Sequence, residues 1–204
     1  MRIAVYGASG NVGREIVAEA VDRGHTVTAI SRSGADAGLA VTVRAGDLSD
    51  PADVAAVAAD HDVLINAAGG SRTSPDEMAK WPQYTREFAL AAGSTRQIYV
   101  GGAGSLLKEP GVRLVDTPEF GETYRAEALA GAAALDELRS LPADINWTYL
   151  SPAPLLLPGE RTGTYNTGSD YPAGERISTA DYAIAILDEV ETPKHQRTRF
   201  TVAN

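Results

Sequence analysis

Short apolar runs alternate with longer amphipathic stretches along most of the chain. The apolar runs are nearly continuous, which is typical of strands buried on both faces of a parallel sheet. These predicted strands are residues 3–6 (IAVY), 26–30 (TVTAI), 41–45 (VTVRA), 62–66 (DVLIN), 97–102 (QIYVGG), 145–150 (INWTYL) and 199–202 (RFTV). The periodicity of the intervening stretches predicts helices at residues 11–23, from 51 onwards, at about 82–92, at about 122–140 and at 179–190.

Strands that alternate with helices of this length fold into right-handed βαβ units around a parallel sheet. The pattern therefore predicts an α/β protein with a doubly wound parallel sheet, in which residues 1–204 form a single domain. Residues 151–177 depart from the alternation because they are rich in Pro and Gly. We expect them to form an irregular segment over the carboxyl edge of the sheet, on the substrate side.

Composition and charge exclude several classes of function. With 204 residues, 44% hydrophobic and 22% charged, the chain resembles an ordinary globular domain. It contains no cysteine, which excludes disulfides, thiolate catalysis and cysteine-based zinc sites and is compatible with a cytoplasmic protein. There is no apolar stretch of about 18 residues to span a membrane, and we expect no secretory signal because the first strand begins near Arg2. The net charge of −9 argues against nucleic acid or an anionic membrane as a partner.

Three glycines stand close together directly after the first predicted strand. The sequence GASGNVG has the pattern G-x-x-G-x-x-G, formed by Gly7, Gly10 and Gly13, and a helix follows at once. Such a turn presents backbone N–H groups at a helix N-terminus, which suits the pyrophosphate of a dinucleotide. The residues of this loop predicted to bind a nicotinamide cofactor are Gly7, Ser9, Gly10, Asn11 and Val12. The alternative is a purely structural turn.

The residues after the second predicted strand distinguish between NAD and NADP. Proteins that bind NAD usually carry Asp or Glu at this place, where it accepts hydrogen bonds from the ribose hydroxyls. This chain has Ser31, Arg32 and Ser33 instead. An arginine can hold a 2′-phosphate, whereas a carboxylate repels it. NADP(H) is therefore favoured over NAD(H), with these three residues as predicted contacts; the alternative is that Arg32 is a solvated loop residue.

Several motifs together resemble the short-chain dehydrogenase/reductase superfamily. They are GASGNVG, the Asp47-Leu48 pair of AGDLSD after the third predicted strand, and the NAAG of VLINAAGG after the fourth. The variant glycine spacing, with YVGGAGSL, WTYLSPA and ISTADYA later in the chain, resembles the atypical NAD(P)H-binding branch of that superfamily. This branch contains biliverdin reductase B-type flavin reductases and many proteins named as epimerases. The resemblance covers almost the whole chain and implies a single NAD(P)-binding Rossmann domain.

The same resemblance implies further contacts to the cofactor. Asp47 would bond the adenine amino group and Leu48 would flank the adenine ring, although Asp47 by itself could equally be a turn or cap residue. The contacts implied for the ribose and the nicotinamide are those of Ala67, Ala68, Gly69, Gly102, Ala103, Pro152 and Ala153. Independently of the resemblance, Gly101, Gly102 and Gly104 would let the substrate and the nicotinamide approach the backbone closely.

The catalytic pair of the superfamily, Tyr-x-x-x-Lys, is missing from this chain. The best-placed tyrosine is Tyr124, and Ala128 stands where the lysine would be. None of the three lysines of the chain follows a tyrosine at that spacing. Ser105 lies where the family places a serine near the nicotinamide, so its hydroxyl could polarise a carbonyl or orient a substrate; it could equally cap the loop. The candidate catalytic residues are therefore Ser105 and Tyr124.

The three histidines do not replace the missing pair. His25 and His61 lie where predicted strands begin, at the amino edge of the sheet, whereas ligands bind at the carboxyl edge. His195 lies in a charged stretch near the end of the sequence. We expect all three to be surface residues. With no cluster of His or Cys, we predict no metal site.

The leading hypothesis is an NADPH-dependent oxidoreductase that transfers a hydride to a small conjugated acceptor such as a flavin or a quinone. Such an acceptor can take its proton from solvent, so the missing pair does not forbid the reaction. One alternative is a non-catalytic NADP(H)-binding redox sensor that presents its surface to a protein partner. Another is a sugar-nucleotide epimerase or dehydratase, which carries a larger substrate domain than this chain offers. We expect a small-molecule substrate and a monomer or homodimer.

Overall fold

An eight-stranded sheet covered by helices on both faces forms the centre of the computed structural model. The structure describes residues 1–34, 41–69 and 74–204. In these ranges the strands are β1 (Arg2–Tyr6), β2 (Thr26–Ser31), β3 (Thr42–Ala45), β4 (Val63–Asn66), β5 (Arg96–Val100), β6 (Leu107–Glu109), β7 (Val112–Arg113), β8 (Trp147–Pro152), β9 (Leu155–Leu157), β10 (Asn166–Gly168), β11 (Arg176–Ser178) and β12 (Thr198–Ala203). The helices are α1 (Asn11–Asp22), α2 (Pro51–Asp60), α3 (Pro75–Ala92), α4 (Glu122–Arg139) and α5 (Thr179–Glu191).

The strand order is that of a doubly wound sheet. From one edge to the other the strands run β10-β12-β8-β5-β4-β1-β2-β3. Neighbouring strands are parallel except for β10, which pairs antiparallel with β12. The chain changes direction across the sheet after β3, so β1 and β4 flank the topological switch point, where open α/β sheets bind ligands. The predicted fold class is confirmed, with one antiparallel strand added at the edge.

Two hydrophobic cores lie on the two faces of this sheet. On one face α1 and α5 pack together, and Ile16 and Ile186 are buried there. On the other face lie α2, α3 and α4, which bury Val54, Phe88 and Leu135. The central strands are therefore covered on both sides, which is the physical reason for their nearly continuous apolar runs.

Asp181, in the first turn of α5, fixes the segment that crosses the end of the sheet. Its N–H donates to Ser178 Oγ at 2.9 Å, and its carboxylate accepts the N–H groups of Thr162 and Gly163 and the side-chain amide of Asn204, each at 2.9 Å. Burial by itself raises the pKa of Asp181, but the hydrogen bonds from Gly163, Thr162 and Asn204 outweigh burial and lower the pKa below its usual value. The ionised carboxylate therefore stabilises this part of the fold.

The third helix begins earlier than predicted. α3 starts at Pro75 rather than at about residue 82, with the hydroxyl of Ser74 accepting the N–H of Glu77 as its N-cap. Pro82 lies inside the helix, where it removes one backbone hydrogen bond. The prediction is wrong here because Met78 is buried in these early turns and Ser74 caps them, which together outweigh the cost of an internal proline.

Residues 151–177 also contain more regular structure than expected. β9 lies within them and pairs in parallel with β11, which begins at Arg176, in a separate two-stranded sheet. β10 lies within them too and extends the central sheet through its pairing with β12. These strands have three residues each, so their local patterns are too short to predict them, and only pairing with a distant strand forms them.

Candidate functional site

A cleft of about 400 Å³ opens at the carboxyl edge of the sheet, beside the switch point between β1 and β4. The loops that follow β1, β2, β3 and β4 bound it, together with one face of α3. The predicted cofactor-binding residues that line it are Gly7, Ser9, Gly10, Ser31, Arg32, Asp47, Leu48, Ala67, Ala68 and Gly69. The parallel topology thus brings together predicted residues from four loops that are far apart in the sequence.

The three glycines of the first loop have different tasks. Gly7 has a φ of +78°, and a Cβ built on it would lie 2.5 Å from the backbone nitrogen of Ala68. A Cβ on Gly13, in the first turn of α1, would collide with the carbonyl oxygen of Gly7. A Cβ on Gly10 would come no closer to the described atoms than 3.3 Å, from that same oxygen. The protein's own packing therefore requires Gly7 and Gly13, whereas Gly10 leaves room on the side of the cleft.

The amino terminus of α1 has no capping side chain. Gly10 is its N-cap residue, and its first turn contains no acidic residue. By contrast, side chains cap α2, α3 and α5, each of which also has an acidic residue in its first turn. The uncapped N–H groups at the start of α1 need acceptors and favour an anion. Asn11 and Val12 begin this helix and do not line the cleft, so their contacts to a cofactor stay predictions.

The turn after β2 places Arg32 at the rim of the cleft. Ser31, the last residue of β2, is buried, and its carbonyl oxygen accepts the N–H groups of Gly34 at 3.2 Å and Gly46 at 3.1 Å. Arg32 is exposed, lines the cleft and forms no salt bridge with any residue that the structure describes. Ser33 is also exposed but does not line the cleft. A guanidinium in this position can reach a phosphate bound at the rim.

Asp47 holds the turn that precedes α2. Its Oδ1 accepts the backbone N–H of Ser49 at 2.9 Å and the hydroxyl of Ser49 at 2.8 Å, which makes an Asx turn. Asp47 is exposed and lines the cleft, so it has the turn role that the sequence left open, and its contact to adenine stays a prediction. Leu48 beside it is half-buried and also lines the cleft.

Asn66, at the end of β4, shapes the next loop of the cleft. Its Oδ1 accepts the N–H of Ala68 at 3.2 Å, and the N–H of Ala67 donates to the carbonyl oxygen of Tyr6 at 2.9 Å. A Cβ on Gly69 would meet no described atom within 4 Å. The loop is therefore held from the side of the sheet and leaves space on the side of the cleft.

A charged cluster supports the floor of the cleft. The hydroxyl of Tyr6 donates to Asp53 Oδ2 at 3.5 Å, and Arg44 forms a salt bridge with Asp53. Gly46 packs on the same carboxylate, since a Cβ there would lie 2.7 Å from Asp53 Oδ2. Burial, and secondly the charge of Asp53, raise the pKa of Tyr6 well above its usual value. Tyr6 therefore stays protonated and is a structural hydrogen-bond donor.

One face of α3 forms a wall of the cleft that sequence reasoning missed. Glu77, Trp81 and Tyr84 line the cleft and recur at helical spacing. A helix predicted to start at about residue 82 leaves Glu77 and Trp81 outside it, which hides the pattern. The signal that could have revealed the wall is Ser74 followed by Pro75, because Ser is a favoured N-cap residue and Pro a favoured first helical residue. The wall offers aromatic rings on which a base can stack.

The residues predicted to contact the nicotinamide lie farther along the same edge and do not line the cleft. The N–H of Gly102 donates to the hydroxyl of Tyr149 at 3.2 Å, and a Cβ on Gly102 would meet no described atom within 4 Å. Ala103 begins a short 3-10 turn, Pro152 ends β8, and Ala153 is buried. Because β4, β5 and β8 are neighbours, these residues continue the edge on which the cleft opens.

The two candidate catalytic residues have different surroundings. Ser105 is 8% exposed, and its Oγ accepts a hydrogen bond from Arg199 at 3.4 Å. Tyr124, in the first turn of α4, is 54% exposed. Ala128, in the place of the lysine of the superfamily, packs closely on Gly104, whose added Cβ would lie 2.6 Å from the Cβ of Ala128. The catalytic roles of Ser105 and Tyr124 stay predictions.

The histidines are held by neighbours away from the cleft. The Nε2 of His25 lies 3.0 Å from a carboxylate oxygen of Glu191, and that of His61 lies 2.8 Å from the hydroxyl of Thr28. The ring of His195 stacks on an aromatic ring with centroids 3.9 Å apart. The expectation of surface residues is wrong for His25, whose side chain is largely buried because it packs where β2 begins beside the end of α5.

Among residues 1–34, 41–69 and 74–204, no three His, Asp or Glu side chains are grouped so that they could hold a metal ion. In the same ranges no helix has the length and apolar character needed to cross a membrane.

Residues 7–193 match the NAD(P)H-binding family. The match covers the glycine loop, every residue that lines the cleft except Tyr6, and most of the sheet, and the chain belongs to this family. Its cofactor is accordingly a nicotinamide dinucleotide, which agrees with a cleft at the switch point of a doubly wound sheet.

Three relatives are similar over their whole length. YwnB of Bacillus subtilis (strain 168), a protein named as uncharacterized, is 38% identical over 217 residues, which cover 100% of this chain and 99% of YwnB. The structure of a Burkholderia pseudomallei protein provisionally named as exported is 40% identical, with a TM-score of 0.88 and 100% of both chains covered. The structure of SP1627 from Streptococcus pneumoniae TIGR4, provisionally named an NADH-flavin reductase, is 35% identical, with a TM-score of 0.89 and 100% and 99% covered.

Proposed function

We propose that the protein is an NADPH-dependent oxidoreductase that transfers a hydride to a small conjugated acceptor such as a flavin or a quinone. The observation that carries the proposal is the cleft, where the open side of Gly10, the uncapped start of α1 and Arg32 converge. The name of SP1627, a relative that covers the whole chain, supports a flavin as the class of acceptor.

The preference for NADPH rests on Arg32. The chain has a net charge of −9, so an anionic cofactor needs a local positive charge. Arg32 supplies one at the rim, at the position where an acidic residue would repel a 2′-phosphate. The name of SP1627 refers to NADH, so the preference of this chain has to be measured on this chain.

The carboxyl edge of the sheet fits the rest of the cofactor. Gly69 and Gly102 present backbone without obstruction from described atoms within 4 Å, so a ring can approach closely. A reduced nicotinamide bound here would supply a hydride, which is two electrons and one proton, and the acceptor would take a second proton from solvent. The residues of this chain have to align the two rings and exclude water, and the missing Tyr-x-x-x-Lys pair is not required for that.

Oxidation of NADPH by a panel of flavins and quinones tests the proposal. We expect acceptor-dependent oxidation by the parent and only the background rate with Gly10→Val, whose side chain enters the cleft while the loop keeps its fold. A parent that binds NADPH but passes its hydride to no acceptor would support the non-catalytic sensor instead. A parent that binds neither cofactor would overturn the proposal.

Trp81 provides a measure of binding that does not depend on turnover. It lines the cleft, whereas Trp147, the second of the two tryptophans, is 1% exposed in the core. We expect NADPH to change the tryptophan emission of the parent but not that of Trp81→Phe. Calorimetry on Trp81→Phe is the control, because this variant should still bind.

A cytoplasmic location and a monomeric or homodimeric state stay predictions. The lack of cysteine is compatible with the cytoplasm, while the name of the Burkholderia relative refers to export. Cell fractionation and light scattering measure the two properties directly.

A further inference from the structure

A buried arginine lies behind the turn that carries Ser105. Arg199 is on β12, and its side chain is 2% exposed. Its guanidinium forms a salt bridge with Asp170, and its Nη1 donates a hydrogen bond to Ser105 Oγ at 3.4 Å. The side chain of Asp170 is half exposed, so of the two charged groups only the guanidinium of Arg199 is buried. A buried positive charge therefore touches the candidate catalytic serine.

Arg199 belongs to a strip of polar side chains on one face of the sheet. In the parallel pair β8 and β12, Tyr149 is in register with Arg199 and Ser151 with Thr201. Because side chains alternate along a strand, these four share a face, and we call them the polar strip. The hydroxyls of Ser151 and Thr201 and the Nε of Arg199 are buried without a hydrogen-bond partner in the described part of the chain. Such groups are rare in folded proteins and mark places for a bound water or ligand.

The strip connects to the edge on which the acceptor would bind. The hydroxyl of Tyr149, a member of the strip, accepts the N–H of Gly102, where the backbone has open space beside it. Ser105 follows Gly102 in the same turn after β5. The buried charge of Arg199 is thus linked to this turn at two points, through Ser105 directly and through its strand neighbour Tyr149.

The donor chemistry of arginine orients the hydroxyl of Ser105. A guanidinium donates hydrogen bonds and accepts none, so Ser105 Oγ is the acceptor in their contact. The proton of the same hydroxyl has no acceptor among the residues that the structure describes. Since a buried O–H needs a partner, this proton is available for an oxygen of a bound ligand.

We propose that Arg199 is a positioning residue that directs the hydroxyl of Ser105 toward a carbonyl oxygen of the acceptor. The positive charge polarises the hydroxyl and so strengthens the hydrogen bond that Ser105 donates as negative charge develops on that oxygen. The acceptor gains the hydride with its two electrons, its carbonyl oxygen takes a proton from solvent, and Ser105 keeps its own proton. The inference rests on the proposed function and narrows the acceptor to conjugated rings that carry a carbonyl group.

A pair of acceptors separates this role from a merely structural one. A benzoquinone carries carbonyl oxygens, whereas a phenazinium dye takes up a hydride without one. We expect Ser105→Ala and Arg199→Met to lower kcat for the benzoquinone roughly 10- to 100-fold. The phenazinium rate and the NADPH affinity should stay within about twofold of the parent. Arg199→Lys keeps the charge and a donor, so it should restore most of the quinone rate.

The double variant tests whether Arg199 acts through Ser105. If it does, adding Arg199→Met to Ser105→Ala causes no further loss of the quinone rate. Equal losses for both acceptors, or losses that add in the double variant, would overturn the inference and leave the proposed function standing. Should Arg199→Met fail to fold, Ser105→Ala and Arg199→Lys carry the test. If the parent binds NADPH but reduces neither the benzoquinone nor the phenazinium dye, that result overturns both the inference about Arg199 and the proposed function.

Discussion

Replacing Arg32 with alanine tests the choice between the two nicotinamide cofactors. A hydrogen bond to a charged group contributes about 1.5–3 kcal/mol, and each 1.4 kcal/mol corresponds to about tenfold in affinity. Arg32 is exposed at the rim of the cleft, so solvent screens its charge and the lower end of this range applies. We expect Arg32→Ala to weaken NADPH roughly 10-fold. NADH should change far less, because it has no 2′-phosphate.

Calorimetric titration of both cofactors measures this difference, with Arg2→Ala as the control. Arg2 begins β1 at the amino edge of the sheet and pairs with Asp62 at 3.0 Å, so its replacement removes the same charge on the side away from the cleft. The Debye length is about 8 Å at physiological salt, so this distant charge should leave NADPH affinity almost unchanged.

Added salt provides an independent check on the same residue. It should weaken NADPH more in the parent than in Arg32→Ala, because only the parent has the charged contact to screen. Equal changes for NADPH and NADH on removal of Arg32, or a parent that prefers NADH, would refute the reasoning and leave Arg32 as a solvated loop residue.

The remaining predictions concern the glycine loop, the missing catalytic pair and acid stability. Gly10→Val should abolish cofactor binding and lower the thermal midpoint less than Gly13→Ala does. A Cβ on Gly13 would lie 2.1 Å from the Gly7 carbonyl oxygen, whereas a Cβ on Gly10 would lie 3.3 Å from it. Equal midpoints for the two variants would contradict this difference. Tyr124→Phe should leave reductase activity within severalfold of the parent, and a loss of about 10²–10⁴-fold would instead identify Tyr124 as a general acid. The pKa of Asp181 is lowered in the folded protein, so its contribution to the free energy of unfolding is present above the unfolded pKa of about 4 and is lost as the pH falls through the lower folded value. Urea unfolding should therefore find Asp181→Asn less stable than the parent at about pH 7 and less sensitive to acid, and an unchanged acid sensitivity would contradict the assignment.

The order of strands and helices is readable from the sequence because each element carries its own burial pattern. Nearly continuous apolar runs predict strands covered on both faces, and their alternation with helices predicts a parallel sheet. Parallel strands place the loops that follow them at one edge, and the resemblance to the short-chain dehydrogenase/reductase superfamily implies which residues of those loops contact the cofactor. Residues as distant in sequence as Gly7 and Gly69 could therefore be predicted to line one site. The absence of the Tyr-x-x-x-Lys pair can also be read from the sequence. The two residues of that pair lie four positions apart on one helix, so no tertiary contact is needed to detect it.

Contacts between distant elements were decided by the tertiary structure alone. In GASGNVG the three glycines look equivalent, and only the closeness of Ala68 and of the Gly7 carbonyl oxygen separates Gly7 and Gly13 from Gly10. The start of α3, and with it the aromatic wall, depends on packing that outweighs an internal proline. The contact of Arg199 with Ser105 joins residues 94 positions apart. Such contacts depend on the order and register of strands across the sheet, and local hydrophobic patterns carry no information about either.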